Sequence, residues 1–362
     1  MMNQPLRIAV LFGGKSSEYE VSLRSAAFAL QSLDPEKYTV VKIGITRAGA
    51  WKLYTGPEER IPSDEWDRPA CTRPVFVRPG DPSEPLVVLQ PDGQMSPLAV
   101  DVAFPMLHGK NGEDGTVQGL FLLAGVPCVG AETDASAVCM NKIFTHRVLD
   151  AAGIPNARWD YCDAAALDDF PALERRLVER LGYPMFVKPA RAGSSVGVSK
   201  AHDAGELRTA IAAALVHDSR AVIEQTLVGR EVECAVLGND KLHAATPAEI
   251  ESANEFYDYA AKYADIGSEV HIPPRISPAA QRAVRELAER TYRALLCCGL
   301  ARVDTFVHAD GGVTVNEINT LPGCTSISGY PKMMAYDGVD GPALCDALIR
   351  LAQENYEERV ER

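Results

Sequence analysis

No stretch of this 362-residue chain approaches the about 18 uninterrupted apolar residues from which a membrane-spanning helix is built. The first apolar run, Ile8 to Phe12, meets Gly13-Gly14 at once and is too short for a signal-peptide core. Basic charge is scarce as well: 36 Lys and Arg stand against 49 Asp and Glu, a formal net charge of −13. Binding a polyanion relies on a basic footprint that this balance does not supply. The nine cysteines are an odd set with no Cys-x-x-Cys pair, so neither a disulfide framework nor a compact zinc site is expected. Internal repeats and low-complexity tracts are missing. These absences predict a soluble, reduced, cytoplasmic protein whose partners are small molecules or protein, with no nucleic acid and no membrane.

What is present is ordinary for a globular chain: 46% apolar and 23% charged residues. At about 150 residues per domain, two or three packed domains are expected. Leu6 to Phe12 reads as a strand, Gly13-Gly14-Lys15-Ser16-Ser17 breaks it, and Glu20 to Leu33 has helical spacing. Val40 to Ile45 is a second strand. Strand, helix, strand at this spacing predicts an α/β start: a doubly wound parallel sheet with its ligand face beyond the carboxyl ends of the strands. Gly56 to Gly93, rich in Pro, Gly and Asp, reads as an irregular excursion or short antiparallel pieces. Val100 to Met106 is another strand, and a helix follows over Thr116 to Ala124.

A boundary is expected between Ala135 and Lys142, ahead of a helix from Lys142 to Ala152. Strands are predicted over Pro184 to Pro189 and Ala221 to Glu224, with the small-residue loop Arg191 to Gly197 and a helix over Ala204 to Val216 between them. Glu231 to Gly238 alternates like a strand of an antiparallel sheet. Ser252 to Gly267 has neither period and reads as a long functional loop. Ser277 to Cys297 is a strongly amphipathic helix, and Ala301 to His308 with Gly312 to Ile318 reads as a hairpin.

That hairpin carries Arg302, Asp304, Glu317 and Asn319. Alternate side chains of a strand share a face, and paired strands lie about 5 Å apart, so one face presents two carboxylates and an amide. Such oxygen ligands suit Mg²⁺, which shares its remaining positions with substrate phosphates. A merely solvated face would leave Arg302 and Thr320-Leu321-Pro322-Gly323 unexplained. The small residues of Gly193 to Gly197 free backbone N–H groups to approach phosphate oxygens, with Lys188 as a cation nearby, although a plain flexible turn reads the same way. Neither a Walker P-loop nor Gly-x-Gly-x-x-Gly is present. Glu18, at a strand-to-helix junction, either receives an ammonium group or balances the helix dipole. His108 ends a strand of the same sheet and either faces the same cleft or is structural. Cys297-Cys298 and Cys324 read as core residues.

These segments occur in one order, and in that order the chain resembles the D-alanine:D-alanine ligases of the ATP-grasp superfamily. The likeness runs from Gly13-Gly14-Lys15-Ser16-Ser17-Glu18 to Tyr330-Pro331. Between them come His108-Gly109-Lys110-Asn111-Gly112-Glu113-Asp114-Gly115, Lys188-Pro189 with Gly193-Ser194-Ser195-Val196-Gly197, and Phe256-Tyr257-Asp258-Tyr259 with Lys262-Tyr263. Ala301-Arg302-Val303-Asp304 and Asn316-Glu317-Ile318-Asn319-Thr320-Leu321-Pro322-Gly323 complete the set. The resemblance implies an N-terminal Rossmann-like domain over 1–137, then a two-part ATP-grasp fold over 138–230 and 231–362, whose antiparallel sheets sandwich ATP.

Residue by residue, the resemblance places Lys142 and Lys188 on nucleotide phosphates, Glu224 on the adenine amine, Glu231 on the ribose and Lys262 on the γ-phosphate. Asp304, Glu317 and Asn319 fall on the positions that hold two Mg²⁺ ions, with Mn²⁺ as a substitute. Glu18 matches the acceptor of the first ammonium group, and Ser194 and Tyr263 match its partners in a hydrogen-bonded set that pins the long loop. Arg302 and the Gly323 N–H match the oxyanion donors, Ser328 matches the group that binds the second carboxylate, and His108 has an orienting or proton-accepting part.

The implied activity is ATP-dependent joining of two D-alanine molecules through an acyl phosphate, for peptidoglycan synthesis, by a homodimer. Tyr263 favours an amine nucleophile. Gly329 stands where many relatives carry a larger side chain, and a roomier second subsite would admit D-serine. Ala192 often corresponds to a polar residue in relatives, a change without a physical account. The alternatives are an ATP-grasp ligase that takes D-serine or D-lactate second, and a non-catalytic nucleotide-binding regulator. The regulator would have no need of Arg302, Ser328 and the metal positions together. A dehydrogenase lacks its phosphate-binding glycine pattern here.

Overall fold

The computed structural model describes residues 4–252, 268–325 and 327–360, and within them the strands form three sheets. The first sheet contains β1 (Leu6–Gly13), β2 (Tyr38–Ile45), β3 (Trp51–Tyr54), β4 (Thr72–Val77), β5 (Leu86–Leu89), β6 (Met95–Leu98) and β7 (Val102–Pro105), in the order β6-β5-β4-β3-β2-β1-β7. Only β2, β1 and β7 run parallel; β3 to β6 extend the sheet as an antiparallel meander, which gives the Pro- and Gly-rich region its short strands. Alternate residues of β1 enter different cores. Ile8, Val10 and Phe12 pack with α1 (Tyr19–Ser32), whereas Ala9 and Leu11 pack with α2 (Thr116–Leu123). Burial on both faces accounts for the uninterrupted apolar run of β1.

After α3 (Thr133–Met140), Asn141 ends one helix and caps the next, its side chain accepting from Ile143 N–H, so α4 (Lys142–Ala151) begins where a helix is expected. The second sheet has the order β10-β9-β11-β8, with β8 (Trp159–Cys162), β9 (Met185–Pro189), β10 (Ser199–Ala201) and β11 (Ala221–Gln225). Its outer face is covered by α5 (Phe170–Leu181) and α6 (Ala204–His217). Although α5 was not anticipated, Phe170, Leu173, Leu177 and Leu181 carry its helical spacing, and Asp169 caps it. Burial of a side chain such as Leu177 contributes roughly 1.5–3 kcal/mol relative to exposure.

The third sheet runs β15-β14-β12-β16-β17, with a short β13 (His243–Ala244) beside β12 (Arg230–Leu237). Its other strands are β14 (Ala248–Ser252), β15 (Ser268–His271), β16 (Leu300–Val307) and β17 (Val313–Asn319). The amphipathic segment forms α7 (Pro278–Ala294), capped by Ser277, and lays Val284, Leu287 and Ala288 against this sheet. Two further helices, α8 (Gly329–Tyr336) and α9 (Gly341–Val360), close the chain and were not anticipated; α8 packs on β12 and α9 on α1. Helices therefore cover the outer faces of the second and third sheets, and the polar inner faces border one cleft. Most of the expected long loop, 253–267, lies outside the described residues, and with it Lys262 and Tyr263. Among the described residues no helix is long and apolar enough to cross a membrane.

Gly13, at the carboxyl end of β1, sets the turn that leads to Glu18. Its φ is +86°, and a Cβ there would lie 2.2 Å from the Ile45 carbonyl oxygen. Gly13→Ala is expected to lower stability by about 1–3 kcal/mol in urea unfolding. Gly80→Ala is the control, because Gly80 has the same φ of +86° with nothing within 4 Å, and it should lose less.

Candidate active site

Lys188 and Glu224 sit on adjacent strands of the second sheet and point away from its helices into the cleft. Lys188 Nζ donates to Glu224 Oε2 at 2.7 Å, and His146 Nε2 lies 3.0 Å from Glu224 Oε1. Burial works against the Lys188 ammonium, but the charge of Glu224, then Glu317 and the hydrogen bond to Glu224, outweigh it and raise the pKa. Burial likewise opposes the Glu224 carboxylate, yet Lys188 and His146 hold its pKa far below the usual range. His146 was not singled out from sequence. The signal was its place four residues after Lys142, on the same face of α4. Lys142 Nζ donates to the Ala192 carbonyl at 2.8 Å and so reaches the glycine loop. In that loop Ser194 and Ser195 have φ of 48° and 58°, the left-handed region that non-glycine residues seldom adopt.

A cavity of about 530 Å³ separates the two antiparallel sheets. Lys188, Glu224 and Phe186 line it from one side, and Glu231, Phe306 and Glu317 from the other. Apolar residues such as Phe186, Val198, Ile250 and Phe306 alternate in its walls with converging lysines and glutamates, a lining suited to a charged small molecule.

On the third sheet, register pairs Asp304 with Glu317 and Arg302 with Asn319, so these four side chains share the inner face. A bulge shifts the register between Asp304 and Thr305: Thr305 pairs with Val315, leaving Asn316 as the extra residue. Without it, Val315 and Glu317 would point the same way. With it, Val315 enters the core and Glu317 faces the cleft.

Arg302 donates from Nε and Nη2 to the two oxygens of Asp304, each at 2.7 Å, and Nε lies 3.3 Å from Glu233 Oε1. Burial disfavours this guanidinium, but Asp304 and Glu233 raise its pKa well above its ordinary value. Asn319 Nδ2 donates to Asp304 Oδ2 at 3.1 Å. That uses one of the amide's two N–H donors and turns its oxygen into the possible ligand. A carboxylate has about four lone-pair sites, so three hydrogen bonds do not exhaust Asp304. Hard oxygen donors from Asp304, Glu317 and Asn319 fit a divalent cation of the Mg²⁺ type.

A second, smaller cavity of about 80 Å³ joins this face to the first sheet. Glu18, Arg302, Gly323 and Ser328 line it, together with Gly193 and Ser194, which also line the larger cleft. Ser194 Oγ donates to Glu18 Oε1, joining residues 176 positions apart. Ser328 Oγ accepts from Thr325 N–H at 3.0 Å. His108 is buried: its Nδ1 lies 3.1 Å from the Leu321 carbonyl, which assigns the N–H to that nitrogen, and Nε2 meets Ser25 Oγ at 2.8 Å. Ser25 Oγ in turn accepts from Cys324 N–H at 3.3 Å. His108 and Ser25 thus hold both ends of the turn that carries Gly323. Burial lowers the His108 pKa, but Glu113, 3.6 Å away, and Glu18 reverse the effect and raise it. Burial also raises the Glu113 carboxyl. Glu113, Ser25 and Glu233 had no role assigned from sequence, although Glu113 lies within the quoted His108 to Gly115 segment. Cys297, Cys298 and Cys324 are buried, as expected of core residues.

The family model described as the D-ala D-ala ligase N-terminus matches residues 7–131, and that of the D-ala D-ala ligase C-terminus matches 148–350. A D-alanine–D-alanine ligase of Caldicellulosiruptor bescii is 45% identical, with 98% of this chain and 97% of the relative covered. One from Acetivibrio thermocellus is 44% identical, with 99% of each covered. Among solved structures, the VanG D-Ala:D-Ser ligase from Enterococcus faecalis is 40% identical with a TM-score of 0.88, covering 96% of this chain and 100% of that one. The D-alanine-D-alanine ligase from Coxiella burnetii is 35% identical with a TM-score of 0.88, covering 99% and 97%. With both family models matched in order and these relatives aligned nearly end to end, the chain belongs to the D-alanine–D-alanine ligase family.

Proposed function

We propose that this protein joins two molecules of D-alanine, using ATP, to make the dipeptide for peptidoglycan synthesis. The single observation that carries the reading is the pair of adjoining cavities. A lysine-lined cleft between two sheets meets, through Gly193 and Ser194, a pocket that holds Glu18, Arg302, Gly323 and Ser328. ATP occupies the cleft, with Lys142 and Lys188 toward its phosphates, Glu224 toward the adenine amine and Glu231 toward the ribose. Lys188 engages Glu224 here, so adenine recognition by Glu224 occurs beside that ion pair. The three-domain division 1–137, 138–230 and 231–362 belongs to the same proposal.

Glu18 receives the ammonium group of the first D-alanine, with Ser194 fixing its carboxylate. A carboxylate oxygen of that substrate attacks the γ-phosphorus, ADP leaves, and an acyl phosphate results. The neutral amine of the second D-alanine attacks the acyl carbon, and phosphate departs. Arg302 and the Gly323 N–H stabilise the oxyanion, where one preorganised donor is worth about 3 kcal/mol. Ser328 holds the second carboxylate. His108 acts by orientation, since its ring and Ser25 grip the Gly323 turn. Asp304, Glu317 and Asn319 would hold Mg²⁺, which when bound neutralises charge on the transferring phosphoryl group. Assembly as a homodimer and a cytoplasmic location complete the reading.

Incubation with ATP, Mg²⁺ and D-alanine is expected to release ADP and yield a product with the mass of D-alanyl-D-alanine. Turnover with D-lactate and ATP alone would overturn the assignment. Glu317→Ala should keep nucleotide affinity within about tenfold, measured by calorimetry, while dipeptide synthesis disappears. Unimpaired synthesis would refute the metal assignment. Glu224→Gln leaves the Lys188 ammonium buried without its carboxylate and should cost about 3–5 kcal/mol in urea unfolding at neutral pH. Because the Glu224 pKa is depressed, this contribution is complete above the unfolded carboxyl value of about 4.3 and is lost as pH falls toward the folded value. The gap between wild type and variant should therefore shrink on acidification below about pH 4.3, and shrink again at strongly alkaline pH, where Lys188, whose pKa Glu224 raises, gives up its proton.

A further inference from the structure

We propose that His146 is a positioning residue for the nucleotide: it donates a hydrogen bond from each ring nitrogen and, as an imidazolium, aims Glu224 at the base. This rests on the reading of the larger cleft as the ATP site. The ring is buried, and its partners come from three places: Glu224 on β11, Trp159 on β8, and Asn156 between α4 and β8.

The two ring protons follow from what each nitrogen faces. Nδ1 lies 2.8 Å from Asn156 Oδ1. The orientation of that amide is fixed, because Asn156 Nδ2 donates to Asp150 Oδ1 at 2.9 Å and to the Ile154 carbonyl at 3.0 Å. Turned round, it would set its oxygen against two acceptors. Nε2 lies 3.0 Å from Glu224 Oε1, an oxygen of an ionised carboxylate, which accepts and cannot donate. A neutral imidazole has one donor nitrogen and one acceptor nitrogen, so it can serve only one of these neighbours. Serving both takes a proton on each. The surroundings suit that charge. The ring stacks on Trp159, with centroids 5.0 Å apart and planes 11° from parallel, and an indole face attracts a cation. Trp159 Nε1 donates to Asp150 Oδ2 at 2.9 Å, so one carboxylate of α4 fixes both the stacking partner and the amide that the ring meets.

The consequence falls on Glu224, which lines the larger cavity. Lys188 engages its Oε2 and His146 its Oε1, so the carboxylate is held at both ends. These bonds leave a lone pair on each oxygen for the exocyclic amine of adenine. Without His146, Oε1 is released and the carboxylate pivots about Lys188. The base takes no part in phosphoryl transfer, so its loss of anchorage weakens ground state and transition state alike. KM for ATP then rises while kcat is spared.

The test has two arms, both on the full chain at neutral pH. In nitrogen-15 NMR of wild type without nucleotide, both ring nitrogens of His146 should carry a proton, the resonances being those missing from the variants. In steady-state kinetics with Mg²⁺ and saturating D-alanine, His146→Phe keeps the stack on Trp159 and removes both donors. Its KM for ATP should rise about tenfold or more, the usual worth of a hydrogen bond to a charged group, with kcat within about threefold of wild type. His146→Lys restores a positive charge with several donors and should bring KM back to within about threefold.

A single proton on the ring in folded wild type overturns the proposal, and this arm stands should His146→Phe fold poorly. So does a KM for ATP within about twofold of wild type in His146→Phe, or an equal loss in the Phe and Lys variants. A purely structural histidine would lower stability in both without separating KM from kcat. Failure of wild type to bind ATP in calorimetry overturns the nucleotide reading and the proposal with it, whereas an unchanged KM beside intact ATP binding overturns the proposal alone.

Discussion

An ionised group inside this cleft survives only beside a group of opposite sign, and that constraint organises the site. Removing a charge from water costs several kcal/mol, which a single well-placed partner and its hydrogen bonds offset. Lys188 is held by Glu224, and Arg302 by Asp304 and Glu233. Each pair joins residues on one sheet face, so the strands position the charges and the charges in turn require the strands to stay in register. The cationic members remain charged through neutral pH because their pKa values are raised.

The same strands divide their two faces between unlike tasks. On β16, Val303 enters the core while Arg302 and Asp304 face the cleft; on β9, Val187 is in the core while Lys188 faces the cleft. Helices on the outer faces bury the apolar half and make a rigid base for the polar half. Long-range hydrogen bonds then fasten the first sheet to the rest: Ser194 to Glu18, and His108 to the Leu321 carbonyl, 213 residues away. The smaller pocket therefore exists only when three distant parts of the chain have docked.

Much of the fold was legible in sequence, and the elements that escaped show why the rest was not. Lengths and periods located β1, α1, α4, α6, α7 and the β16–β17 hairpin to within a few residues. The helix α5 is absent from the sequence reading although its four apolar positions are regular; its exposed residues are mostly charged, and Asp168, Asp169 and Pro171 at its start are turn-forming residue types. The hairpin's shared face followed from strand alternation alone. The bulge at Asn316 did not, since one extra residue in a pleated strand leaves no mark on composition or period. Likewise Gly329 suggested an open subsite, and a carboxylate from a strand nearly one hundred residues earlier in the chain fills the space.

The sequence by itself determined the class of fold, the family and the stock of chemical groups: lysines, acids, an amide and a small-residue glycine loop. These depend on local pattern and residue identity, which a chain carries before it folds. Only the tertiary structure decided which of those groups meet. It turned Glu317 away from Val315, gave Glu224 both Lys188 and His146, clamped the Gly323 turn with Ser25 and His108, and set Glu233 against Gly329. The physical reason is that electrostatic and hydrogen-bonding contacts act over a few ångströms in space, and distance along the chain says little about distance across it.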